Sequence, residues 1–79
     1  MIEFKVFVPT KFADKALVQL LMQPFALCGH IKFTGTVEAE LEIELAAGCE
    51  MTACDISQYL TAYHVPAKVT GPFHYDETT

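Results

Sequence analysis

Hydrophobic and polar positions alternate most cleanly in the middle of the chain. Val37, Ala39, Leu41, Ile43 and Leu45 interleave with Glu38, Glu40, Glu42 and Glu44, which predicts a strand with one dry face and one wet face. Ile2, Phe4, Val6 and Val8 alternate in the same way with Glu3, Lys5 and Phe7, giving a strand over residues 2–8. Pro9 stops it, and Thr10 is placed to cap a helix. From Lys11 to Gln23 the period changes. Ala13, Ala16, Leu17, Leu20 and Leu21 recur at helical spacing, until Pro24 removes a donor from the ladder. Phe25 to Gly29 then reads as a connector, and His30 to Thr34 as a short strand with Ile31 and Phe33 on one face.

A hairpin joins that strand to the alternating one. Opposed residues must share a face, and the loop Thr34-Gly35-Thr36 achieves this with Phe33 opposite Val37 and Lys32 opposite Glu38. Beyond Ala46-Ala47-Gly48, Thr52 and Asp55 have the spacing of a capping box, and Met51 is positioned to staple onto Ile56. Ala53, Ile56, Leu60 and Tyr63 continue a buried stripe as far as Val65-Pro66. Ala67 to Thr70 reads as a last strand. Gly71-Pro72 and the aromatic run Phe73-His74-Tyr75 follow it.

The order β-α-β-β-α-β within 79 residues predicts one domain, 1–79, with an aromatic and acidic tail from residue 71. It resembles the ferredoxin-like βαββαβ plan, an α+β two-layer sandwich whose four-stranded antiparallel sheet carries two helices on one face. The bare face would hold Glu3, Lys5, His30, Lys32, the four alternating glutamates, Lys68 and Thr70. Many unrelated families share this plan, so function has to be read from sites.

Composition narrows the choice. The chain is 52% hydrophobic and 19% charged, which excludes a disordered segment. Ten acidic residues against five lysines give a net charge of −5, unfavourable for nucleic acid or an anionic membrane. There is no arginine, hence no guanidinium fork to grip phosphate. No stretch reads as a signal segment or a membrane span. Three cysteines cannot all pair internally, and they predict reduced thiols in a cytoplasmic setting. A domain this small buries only about 60% of its chain's surface, so a partner surface or self-association would add to its stability.

Candidate chemistry is sparse. Cys28, His30, Cys49 and Cys54 fall near one end of the sheet but match no zinc spacing, and neither a metal nor a cofactor is expected. Ser57 and His64 suggest no nucleophile–base pair. The paired carboxylates lack the apolar pocket that would split their pKa values. The chain is therefore expected to be non-enzymatic, without catalytic residues. Among domains similar in plan, RNA-recognition domains carry aromatics where Glu38 to Glu44 stand. Metal chaperones carry Cys-x2-Cys where this chain has Val8-Pro9-Thr10-Lys11, and acylphosphatases need an arginine.

What remains is a docking surface. Glu38, Glu40, Glu42 and Glu44, with Phe73 and Tyr75, are the expected partner-binding residues, and a protein with a basic surface is the expected partner. Such a module acts by surface occlusion or adaptor contact, as a phage- or mobile-element-type inhibitor of a host enzyme or defence complex would. The alternative is a small-molecule-sensing, ACT-like homodimer that holds its effector at the dimer seam.

Overall fold

The computed structural model describes residues 1–74. Strand β1 (Ile2–Pro9) leads through a 3-10 turn (Thr10–Phe12) into helix α1 (Ala13–Leu21). Strands β2 (Ala26–Thr34) and β3 (Glu38–Leu45) follow, then helix α2 (Ala53–Ala62) and strand β4 (Lys68–His74). All neighbouring strands are antiparallel, in the order β2-β3-β1-β4. This is the α+β ferredoxin-like sandwich that the sequence pattern implies.

One side of the sheet makes the core. Phe4, Val6 and Val8 of β1 and Ala39, Leu41, Ile43 and Leu45 of β3 are buried against Ala13, Ala16 and Leu20 of α1 and Ile56 and Leu60 of α2. Each large side chain buried in this way contributes about 1.5–3 kcal/mol. The helices are tied together as well: the Tyr59 hydroxyl donates to the Gln19 carbonyl at 3.2 Å, and Phe25 meets the Tyr59 ring edge to face at 5.8 Å. Desolvation in this layer, followed by its neighbour Tyr63, pushes the Tyr59 hydroxyl above its ordinary pKa. The predicted capping box starts α2. The Asp55 amide donates to Thr52 Oγ1 at 3.1 Å, and the Thr52 amide donates to Asp55 Oδ2 at 2.9 Å.

Several local expectations are corrected. Thr10 does not cap α1. Its hydroxyl donates to the Gly35 carbonyl at 2.8 Å and its amide to the Val37 carbonyl at 2.9 Å, so it clasps the β2–β3 loop instead. Helix α1 starts at Ala13 without a side-chain cap. Strand β2 begins at Ala26 and absorbs most of the expected connector. A bulge between Ala26 and Cys28 inserts an extra residue and hides the alternation.

A second bulge, between Ile31 and Phe33, shifts the hairpin so that Phe33 faces Glu40 and not Val37. The loop becomes Gly35-Thr36-Val37, closed by the Gly35 amide donating to the Glu38 carbonyl at 2.9 Å. Val37 is exposed, and so is Tyr63 at the end of α2. Strand β4 runs on through Gly71-Pro72 to His74, because Gly71 adopts φ +129° and lies where a Cβ would fall 2.9 Å from the Phe4 ring. Phe73 is thus part of the sheet, opposite Glu3. Tyr75 lies outside the described residues.

Candidate functional site

The second face of the sheet has no layer packed on it among the described residues, and the register arranges it in rows. The first row is Cys28, Glu44, Glu3 and Phe73 across β2, β3, β1 and β4. The second is His30, Glu42, Lys5 and Thr70, and the third is Phe33, Glu40, Phe7 and Lys68. Glu38 and Pro9 face each other at the far end.

The four alternating glutamates are not equivalent. His30 Nε2 lies 3.1 Å from Glu42 Oε1, and Lys32 Nζ lies 3.4 Å from Glu42 Oε2 and 3.9 Å from Glu40 Oε2. The bulge sets this pairing, so Lys32 serves Glu40 and Glu42 rather than Glu38. The Glu42 side chain keeps only 14% of its surface exposed and that of Glu40 21%. The hydrogen bond and charge of Glu42, then the charge of Glu40, hold the Lys32 ammonium above its ordinary pKa. The middle of the ladder is therefore partly compensated and largely covered.

The ends differ. Glu38 is exposed, and Glu44 sits directly opposite Glu3. None of these three makes an ion pair among the described residues. Like charges opposed across a strand pair are destabilising, and here the relief is small: the Cys28 thiol donates to Glu44 Oε1 at 3.6 Å. Desolvation, followed by that hydrogen bond and the charges of Glu44 and Glu3, pushes the Cys28 thiol above its ordinary pKa. Cys28 stays a protonated, weakly nucleophilic thiol.

Aromatic rings frame these charges. Lys5 Nζ stands 5.2 Å from the centre of the Phe73 ring, a cation–π contact that fixes the lysine between Glu42 and β4. Phe73 is 36% exposed and Phe33 63%, while Phe7 is half-buried. Of the expected partner-binding residues, the structure brings Glu38, Glu40, Glu42, Glu44 and Phe73 onto one face. Sequence reasoning missed Phe33, which the bulge moves to this face, and Glu3, whose opposition to Glu44 follows only from the β1–β3 register. No local signal marks the bulge. The parity of Glu3 did place it on the wet side.

The other candidates are dispersed. Cys28 and His30 are on the outer sheet face. Cys49 is half-buried in the loop before α2, and Cys54 is exposed on α2, where its sulfur accepts from Gln58 Nε2 at 3.5 Å. No three metal-ligating side chains converge among the described residues. Ser57 Oγ donates to the Ala67 carbonyl at 3.4 Å, and His64 occupies the left-handed position after α2 at φ 62°. Two open hollows of about 340 and 230 Å³ adjoin at one end of the sheet and share Ile2, Leu45 and Cys49. No helix among the described residues is long and apolar enough to cross a membrane.

No family model, curated protein or solved structure matches the chain.

Proposed function

We propose that this chain is a small, non-catalytic protein-binding module that docks a basic surface onto its uncovered sheet face. It works by occluding that surface or by bridging it to another protein. The observation that carries this reading is the uneven compensation of the glutamate ladder. Among the described residues Glu38 at one end and the Glu3–Glu44 pair at the other have no cation of their own, and Phe33 and Phe73 stand on the same face, opposite Glu40 and Glu3. Lysines of a partner would relieve the Glu3–Glu44 repulsion, so binding gains where the free protein is strained. Aromatic side chains supply the desolvated anchors that interface centres favour. A mobile-element inhibitor that covers the basic site of a host enzyme or defence complex is one setting for such a surface.

The test is retention of partners from native lysate by the tagged protein, at low and moderate salt. One stoichiometric macromolecule is expected, released by salt because exposed charge pairs are screened beyond about 8–10 Å. The triple variant Glu3→Gln, Glu38→Gln, Glu44→Gln should lose it, whereas Glu40→Gln with Glu42→Gln should weaken it less. Equal retention by wild type and the triple variant would defeat the acidic-face reading.

A further inference from the structure

The edge of the sheet formed by β2 differs from every other surface of the molecule. Its outward backbone groups from Cys28 to Lys32 meet no strand or loop among the described residues. The opposite edge, β4, contains Pro72, which has no N–H to offer an added strand. Strand β2 has neither proline nor acidic residue. It also carries two of the most exposed apolar side chains, Leu27 at 61% and Phe33 at 63%.

Helix α1 adds a second apolar element on the same side. Val18, Leu21 and Met22 are 54%, 41% and 70% exposed at i, i+3 and i+4, so they share one helix face. Leu21 leans over β2, with its Cδ2 3.4 Å from where a Cβ on Gly29 would stand. The stripe therefore flanks the free strand edge rather than the helix pair.

We infer that the occupant of this edge is a second copy of the chain, paired antiparallel through β2 about a two-fold axis near His30. In that register the numbers of opposed residues sum to 60. Gly29 then faces Ile31 of the second copy and Ile31 faces its Gly29, and beyond the bulges the antiparallel direction brings the Leu27 end of each strand beside the Phe33 end of the other. The exposed apolar residues at the two ends of the strand are brought to the same seam, and the two α1 stripes approach above the joined sheets. The bulges at each end limit regular pairing to the short stretch between them, which disfavours open-ended strand addition.

Charge decides against the competing arrangement. Stacking the two outer faces would set the acidic β3 columns about 10 Å apart with water excluded between them. Joining β2 edges leaves three strand spacings, about 14 Å, between the same columns. That exceeds the Debye length of about 8 Å at physiological ionic strength, so a chain of net charge −5 can self-associate there. Both outer faces remain open, side by side on one extended sheet. The dimer thus presents the proposed docking face twice, without depending on that proposal for its own formation.

Only Leu27–Phe33 and the Val18, Leu21 and Met22 stripe take part, well short of the roughly 20–30 residues a side in a standard stable interface, so a reversible dimer is expected. Sedimentation equilibrium of the purified chain from 1 μM to 1 mM should show monomer passing to dimer. Val18→Glu combined with Leu27→Lys, both at exposed sites, should remain monomeric over that range and melt as the wild type does at 1 μM. Glu3→Gln, Glu38→Gln, Glu44→Gln should still dimerise, which separates this edge from the docking face. Hydrogen exchange on the wild type, at the two ends of the concentration range, should show added protection in Cys28–Ile31 alone. A monomer at 1 mM, a dimer undiminished in the double variant, or added protection on β4 or on the outer face of β3 would each overturn the inference.

Discussion

Strand β3 shows two surfaces made from alternate residues of one segment. Ala39, Leu41, Ile43 and Leu45 are at most 5% exposed under the helices. Glu38, Glu40, Glu42 and Glu44 lie on the uncovered side, in environments that range from exposed to nearly covered. On the core side every residue has the same fate, because any apolar group of fitting size is stabilised by leaving water. On the outer side each glutamate depends on what the neighbouring strand sets opposite it. Burial is a property of the face, whereas charge compensation is a property of the register.

The contrast can be broken most forcefully from the core side. Leu41→Ala should destabilise the domain by about 2–5 kcal/mol in urea unfolding, as buried leucine truncations do. Glu40→Ala, its sequence neighbour, should cost no more than about 1 kcal/mol. Comparable losses for the two would show that the outer ion pairs hold the fold as firmly as the core does.

Gly29→Ala should come next, with a loss of about 1–3 kcal/mol. A Cβ there would fall 2.5 Å from Ile43 Cδ1 and 3.0 Å from the Glu42 carbonyl oxygen, and only the side chain can give way. A melting temperature equal to that of wild type would show that β2 is loosely seated on β3.

Glu44→Gln should act in the opposite direction and stabilise the domain by about 0.2–1 kcal/mol, since it removes one of two opposed like charges. A lower melting temperature would mean that Glu44 has a stabilising partner. The same variant bears on Cys28. Removing the carboxylate charge lowers a thiol pKa that Glu44 helps to raise, so alkylation of Cys28 near pH 8 should quicken. The change stays partial because desolvation, the leading cause, is untouched. An unchanged rate would deny the Cys28–Glu44 contact a role in solution.

Much of the fold is legible in the sequence. Alternation from Ala39 to Leu45, the helical spacing of Ala13, Ala16 and Leu20, and the Thr52–Asp55 box are local patterns, and each stands as read. The hairpin register was not legible. An extra residue at Leu27 and another at Lys32 preserve composition while reversing which face the following side chains occupy. Thr10 was misread for a related reason. A capping residue and a loop clasp have the same side chain, and only the arrival of Gly35 beside β1 favours the clasp.

The candidate site divides in the same way. Parity alone put Glu3, Lys5 and the four glutamates on the wet side, since successive side chains in a strand must point to opposite faces. The register between strands sets Lys32 against Glu40 and Glu42 and His30 beside Glu42, opposes Glu3 to Glu44, and brings Phe33 to the same face. The two-layer α+β plan follows from periodicity alone, because periodicity tells each segment which side to bury. Periodicity could not determine which charges stay uncompensated. That depends on pairings between strands distant in sequence, and a single inserted residue resets those pairings.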